Sequence, residues 1–163
     1  MGGNSYVIDT SSLIRLASFN RSVFVGLWAN MEGLIEEGRL SAPKAVLNDL
    51  KAKDDRIFRW AKAHDALFVD ISSRELEILR DIENSHPNWV DINSAKNHAD
   101  PYVVALAAYK KKQRQRKLRH YKVTIVTEES KDPKRLKIPS VAKDYGIESI
   151  DLDGLFQMEG WKF

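Results

Sequence analysis

The 163-residue chain contains no cysteine. Disulfides, iron–sulfur clusters, thiolate zinc sites and cysteine nucleophiles are therefore excluded. No apolar run approaches the roughly 20 residues of a membrane span. The opening Met-Gly-Gly-Asn-Ser lacks the charged region and apolar core of a secretory signal, so the expectation is a cytoplasmic protein with no membrane partner. Glycine is scarce, at eight residues, and none of them builds a phosphate-cradling loop or a dinucleotide fingerprint. His64, His86, His98 and His120 lack metal-ligand spacing, which argues against a histidine zinc site. No Gly-x-Ser-x-Gly elbow is present to support a serine triad. Acidic residues are missing altogether from Pro101 to Thr127.

What is present reads as a single globular domain over residues 1–163, with 43% hydrophobic and 30% charged residues. A chain of this length buries about 70% of its unfolded surface and needs no covalent staples. The net charge of +3 hides an asymmetry. Lys110, Lys111, Lys112, Arg114, Arg116, Lys117, Arg119 and Lys122 put +8 into the acid-free stretch and leave −5 for the remainder. One basic strip on a mildly acidic body is a polyanion-binding pattern. Cations also stabilise a helix C-terminus, but eight exceed what a cap requires.

Strand and helix patterns alternate along the chain, with no internal repeat. Tyr6-Val7-Ile8 reads as a buried strand ending at Asp9, and Ser11 or Ser12 can cap a short helix through Ala17. Phe24, Leu27, Trp28, Met31, Leu34 and Ile35 recur at helical spacing before Gly38. Leu40-Ser41-Ala42 predicts a brief strand, and Pro43 opens a helix with Val46, Leu47 and Leu50 inward. Ile57, Phe58, Trp60 and Ala61 line a further helix, and Ala66 to Asp70 reads as a strand or an extended connection. Ser72 and Glu75 form a capping-box signature ahead of Leu76, Leu79 and Ile82. Residues 88–97 read as loop. Asp100-Pro101 sets an N-cap before an almost continuously apolar helix. Lys122 to Val126 predicts a strand, Pro139 to Tyr145 a short helix, and Ile147 to Leu152 a last strand, with Asp153 capping a final helical turn. Such alternation predicts an α/β fold with a central parallel sheet covered by helices on both faces. Ligands in such sheets sit outside the carboxyl ends of the strands.

Acidic residues fall at those ends. Asp9 follows the first strand, Asp100 opens the buried helix, Glu128 and Glu129 follow the Lys122–Val126 strand, and Asp49 lies near the end of the Pro43 helix. Converging carboxylates cannot all stay ionised without cations nearby, and hard oxygen ligands suit Mg²⁺ or Mn²⁺. A cluster of that kind can activate water and stabilise charge on a phosphodiester during in-line displacement. Each residue also has a plainer reading: Asp9 and Asp100 as helix caps, Glu128 and Glu129 as solvated loop charges, Asp49 on an outer helix face.

Four segments together resemble the PIN domain, the nuclease fold found in VapC-type toxins. Tyr6-Val7-Ile8-Asp9-Thr10-Ser11-Ser12-Leu13-Ile14 resembles the family's first motif. Ala45-Val46-Leu47-Asn48-Asp49-Leu50 resembles the second, where the family usually has glutamate. Ala99-Asp100-Pro101-Tyr102-Val103-Val104-Ala105-Leu106-Ala107 resembles the third, and Val126-Thr127-Glu128-Glu129 the fourth, usually Thr-x-Asp. The resemblance extends over nearly the whole chain and implies a three-layer α/β/α PIN-like fold.

It further implies an endoribonuclease dependent on Mg²⁺ or Mn²⁺ that leaves a 5′-phosphate and a 3′-hydroxyl. Carried over by motif, Asp9, Asp49 and Asp100 are core metal ligands. Glu129 takes the fourth position, with Glu128 as its alternative, and Thr10, Ser11 and Thr127 orient carboxylates or water. Asp49 is one methylene shorter than the usual glutamate, and Glu129 one longer than the usual aspartate. The basic strip, with Lys131, Lys134, Arg135 and Lys137, would hold the RNA backbone. A VapC-like chain would be the toxin of a toxin–antitoxin pair, with an antitoxin partner and a homodimer. The alternatives are a catalytically weak PIN-like RNA-binding module and a protein-interaction module. A haloacid-dehalogenase-like phosphatase would need an aspartate at position 11, which is Ser11.

Overall fold

β1 (Ser5–Ile8) and β4 (Val123–Val126) are buried along their whole length and carry near-continuous apolar sequence. Strands covered on both faces have this composition, and they form the centre of the sheet. In this computed structural model, which describes residues 3–87, 89, 99–116, 122–131 and 136–163, five strands pair in the order β3-β2-β1-β4-β5. β2 is Leu40–Pro43, β3 is Phe68–Val69 and β5 is Glu148–Ile150. Every pairing is parallel, with Tyr6 opposite Leu40 and Thr124, and Val126 opposite Ile8 and Ile150.

Parallel neighbours need crossovers, and helices supply them. α1 (Thr10–Leu16), α2 (Val25–Glu36), α3 (Lys44–Lys53), α4 (Asp55–Ala63) and the final α8 (Leu152–Met158) cover one face. α5 (Ser73–Ser85), α6 (Asp100–Arg116) and α7 (Ile138–Asp144) cover the other. The result is the expected three-layer α/β/α arrangement. α6 runs across β1, β2 and β4, and its Val103 to Ala108 stretch is buried all round. Each such Val or Leu contributes about 1.5–3 kcal/mol.

Several local expectations shift by a residue or two. The first turn of α6 starts from Ala99, whose carbonyl accepts from Val103 N–H at 3.1 Å, so Asp100 is inside the helix and not its cap. Asp151, not Asp153, caps α8 by accepting from Gly154 N–H at 2.8 Å. Ser72 does cap α5, accepting from Glu75 N–H at 3.2 Å, but Leu76 faces solvent, and Ile78 joins Leu79 and Ile82 inside. The 88–97 stretch read as loop lies outside the described residues except for Trp89, which is buried. At the N-terminal edge of the sheet, the Tyr6 hydroxyl donates to Glu159 Oε2 at 2.5 Å. The Arg39 Nη2 group donates to both oxygens of the same carboxylate, at 2.8 and 2.6 Å, tying the end of α8 to β1 and β2. Among the described residues no helix is long and apolar enough to cross a membrane.

Candidate metal centre

The strand order reverses direction between β1 and β4, which opens a crevice at their carboxyl ends. Asp9 sits at that edge. Its backbone N–H continues the ladder to Val126 O at 2.9 Å, and its side chain is 2% exposed. It occupies the cap position of α1 yet makes no capping hydrogen bond. Instead Oδ2 accepts from Ser11 Oγ at 2.8 Å and from Thr127 Oγ1 at 3.0 Å, and Oδ1 is buried with no partner. Ser11 also accepts from Glu128 N–H at 3.0 Å, and Thr127 Oγ1 from Glu129 N–H at 3.2 Å. These two hydroxyls lock the ends of β1 and β4 into one rigid frame.

Asp100 and Glu129 complete the centre. Carboxylate oxygens of Asp9, Asp100 and Glu129 lie within 4.8 Å of one another. Burial pushes Asp100 up to about 9, and the charges of Asp9 and Glu129, a hydrogen bond with Glu129 and the charge of Asp49 add to the rise. Burial also raises Asp9, offset in part by Ser11 and Thr127. Glu129 is raised by burial and by Asp9, while the Ile138 N–H, donating to Oε2 at 2.8 Å, favours its ionised form. Among the described residues, none of the three carboxylates forms an ion pair with a lysine or arginine. At neutral pH such a trio must retain protons or take up a cation. An all-oxygen donor set with an orphaned buried oxygen fits Mg²⁺ or Mn²⁺.

Asp49 lies outside the trio. It is held by Lys53 Nζ at 3.3 Å one turn along α3, and it reaches the centre through its charge on Asp100. Glu128 is turned away: neighbouring residues of an extended segment face opposite sides. Its Oε2 accepts from Ser12 Oγ at 2.6 Å and Leu152 N–H at 3.0 Å, and its Oε1 accepts from Arg15 Nη1 at 2.6 Å. Glu128 therefore clamps β4, α1 and α8 and lies outside the carboxylate cluster. The Thr10 hydroxyl is buried without a partner, and its backbone N–H acts on Asp9 instead. The Ser11 and Thr127 hydroxyls both donate to Asp9 Oδ2.

The described α6 cations are not beside the carboxylates, whereas Lys131 lines a cavity with Glu129 and the charge of Lys137 reaches Glu129. At 1.5 Å per helical residue, Lys110 is about 15 Å and Arg116 about 24 Å along α6 from Asp100. Lys110 is half-buried near the buried Glu75, and Lys111 Nζ donates to Gly146 O at 2.9 Å. Lys122 pairs with Glu148. Lys112 lines a groove that also holds Glu77 and Asp81, and Arg114 is part-buried. Lys117, Arg119, Lys134 and Arg135 lie outside the described residues.

Sequence reasoning missed Ser12, Arg15 and the Ile138 N–H. The helix-opening Pro139 was the one available signal, because the first N–H groups of a helix lack internal partners and suit a carboxylate. Among curated proteins none matches the sequence. Residues 6–163 match a family model, Domain of unknown function (DUF4411), and the chain belongs to that family.

Proposed function

We propose that this chain is a PIN-type ribonuclease that hydrolyses RNA phosphodiester bonds with Mg²⁺ or Mn²⁺. One observation carries the reading. Three carboxylates from segments far apart in sequence meet at the β1/β4 crevice with no cation paired to them among the described residues, and Asp9 keeps a buried oxygen without a partner. Asp9, Asp100 and Glu129 would hold the ion, with Asp49 adding negative charge from α3. A divalent ion bound there supplies a Lewis acid for the phosphoryl group and lowers the pKa of water.

The protein's own groups prepare that site. Ser11 and Thr127 both donate to Asp9 Oδ2 and leave Oδ1 open. The Ile138 N–H fixes the rotation of Glu129. Asp100 releases its proton as a cation enters, so binding strengthens as pH rises. The resemblance to VapC-type toxins extends the proposal to the toxin of an antitoxin pair, dimeric and cytoplasmic. A module that binds RNA without cutting is the second reading, favoured by Asp49 being held by Lys53 outside the trio.

The test uses labelled single-stranded RNA with Mg²⁺, Mn²⁺ or EDTA. The wild type is expected to cleave only with metal, and Asp9→Asn and Asp100→Asn to lose at least about 100-fold in rate with unchanged circular dichroism. Undiminished cleavage in either variant refutes the nuclease assignment. RNA binding by the wild type without cleavage in either metal selects the second reading.

A further inference from the structure

An open cavity of about 350 Å³ on the α2/α4 face is lined by Arg21, Arg56, Arg59, Trp60, Ala63 and His64. It presents three guanidiniums and no carboxylate. Among the described residues none of the three arginines forms an ion pair. Of the nearby acids, Asp54 and Glu32 have partners of their own, and Asp55, exposed at the start of α4, does not line the cavity. Asp54 accepts from the backbone N–H groups of Arg56 and Ile57, at 3.0 and 3.3 Å. Glu32 Oε1 accepts from Trp60 Nε1 at 3.2 Å and lies 3.4 Å from His64 Nε2.

The floor is rigid. Trp28 and Trp60 meet edge to face at 5.2 Å, and Trp28 Nε1 donates to Phe19 O at 2.9 Å. The Arg21 guanidinium lies 5.5 Å from the centre of the Trp28 ring, which orients it without neutralising it. Arg56 and Arg59 are three residues apart on α4 and project as neighbours. Arginine forks pair with phosphate oxygens in a way lysine does not. α4 packs on both α1, which opens after Asp9, and α3, which carries Asp49.

We infer that the Arg21, Arg56 and Arg59 face is the phosphate-binding track for single-stranded RNA, the function first expected of the α6 strip. The choice of RNA over another polyanion rests on the proposed ribonuclease reading. The track itself does not depend on catalysis.

The experiment is fluorescence anisotropy of a short labelled single-stranded RNA in EDTA, where no cleavage occurs, titrated with salt. The variant R21Q/R56Q/R59Q is expected to bind at least tenfold more weakly at low salt. Its plot of log affinity against log salt should be shallower by about 2, at roughly 0.7 per lost phosphate contact. R56K/R59K keeps its charges and should keep most of the slope, while K112Q, on the α6 groove, should match the wild type. If the triple variant does not fold, R56Q and R59Q singly should each lose about 0.7 of slope. Wild-type affinity and slope in a folded triple variant overturn the inference and leave this face to an acidic protein partner. Absence of RNA binding by the wild type overturns it as well. Loss of the nuclease reading would show separately, as intact binding without metal-dependent cleavage.

Discussion

Replacing Asp100 by asparagine should stabilise the metal-free protein at alkaline pH, although it removes a group from the candidate site. Asp100 titrates near 9 in the folded chain against an ordinary value of 3.8, first because it is buried and then because Asp9 and Glu129 repel its charge. Between those values the folded state holds a proton that the unfolded state has released. Unfolding free energy therefore falls as pH rises, by up to about 1.4 kcal/mol per pH unit, from near pH 4 until pH passes about 9. Across pH 5 to 8 this amounts to about 4 kcal/mol, a large part of an ordinary domain's stability. Asparagine has nearly the same shape and no charge, so its stability relative to wild type should improve by about that amount over the same interval. Asp9 and Glu129 are raised too, so the variant keeps a residual slope. Urea unfolding in EDTA, followed by tryptophan fluorescence at several pH values, measures this directly. Mn²⁺ at 100 times its dissociation constant should restore about 2.7 kcal/mol to the wild type at pH 8 and much less to Asp100→Asn. Parallel pH profiles for the two proteins would refute the reasoning.

Two further outcomes test the residues assigned away from the site. Glu128→Ala leaves the Ser12 hydroxyl and the Leu152 N–H without their acceptor and removes one of the two carboxylates on Arg15, which keeps Asp153. It should lower stability by about 2–4 kcal/mol in thermal melts while leaving Mn²⁺ affinity within a few-fold of wild type; a loss of metal binding without a loss of stability would return Glu128 to the ligand set. Lys110→Met removes the cation near buried Glu75 and should cost about 1 kcal/mol, with RNA affinity unchanged. A marked fall in RNA affinity would instead restore α6 as the binding strip.

The layering of the fold was legible because parallel strands buried on both faces read as short apolar runs. Val7-Ile8 and Val123 to Val126 carry that signal, and helices at 3.6-residue spacing separate them. Asp9 and Asp100 were legible for a related reason: a residue at the end of a central strand, or at the start of the helix packed across it, stands at one edge of the sheet whatever the details. Boundaries slipped where two residues compete for one backbone role, as with Ala99 and Asp100 at α6 or Asp151 and Asp153 at α8.

By itself, then, the sequence determined the alternation of elements, the parallel sheet and two of the three clustered carboxylates, because these depend on local periodicity and chain direction. Tertiary structure separated Glu129 from its alternative Glu128, since a single residue's step turns the side chain from Arg15 to the crevice. It also decided that Asp49 stands beside the trio and not within it, and that the Thr10 hydroxyl has no partner there. The length of α6 carried its described cations away from the acids, and the packing of Trp28 on α2 against Trp60 on α4 gathered Arg21 with Arg56 and Arg59. Those outcomes depend on which surfaces meet after folding, and no spacing along the chain encodes that distance.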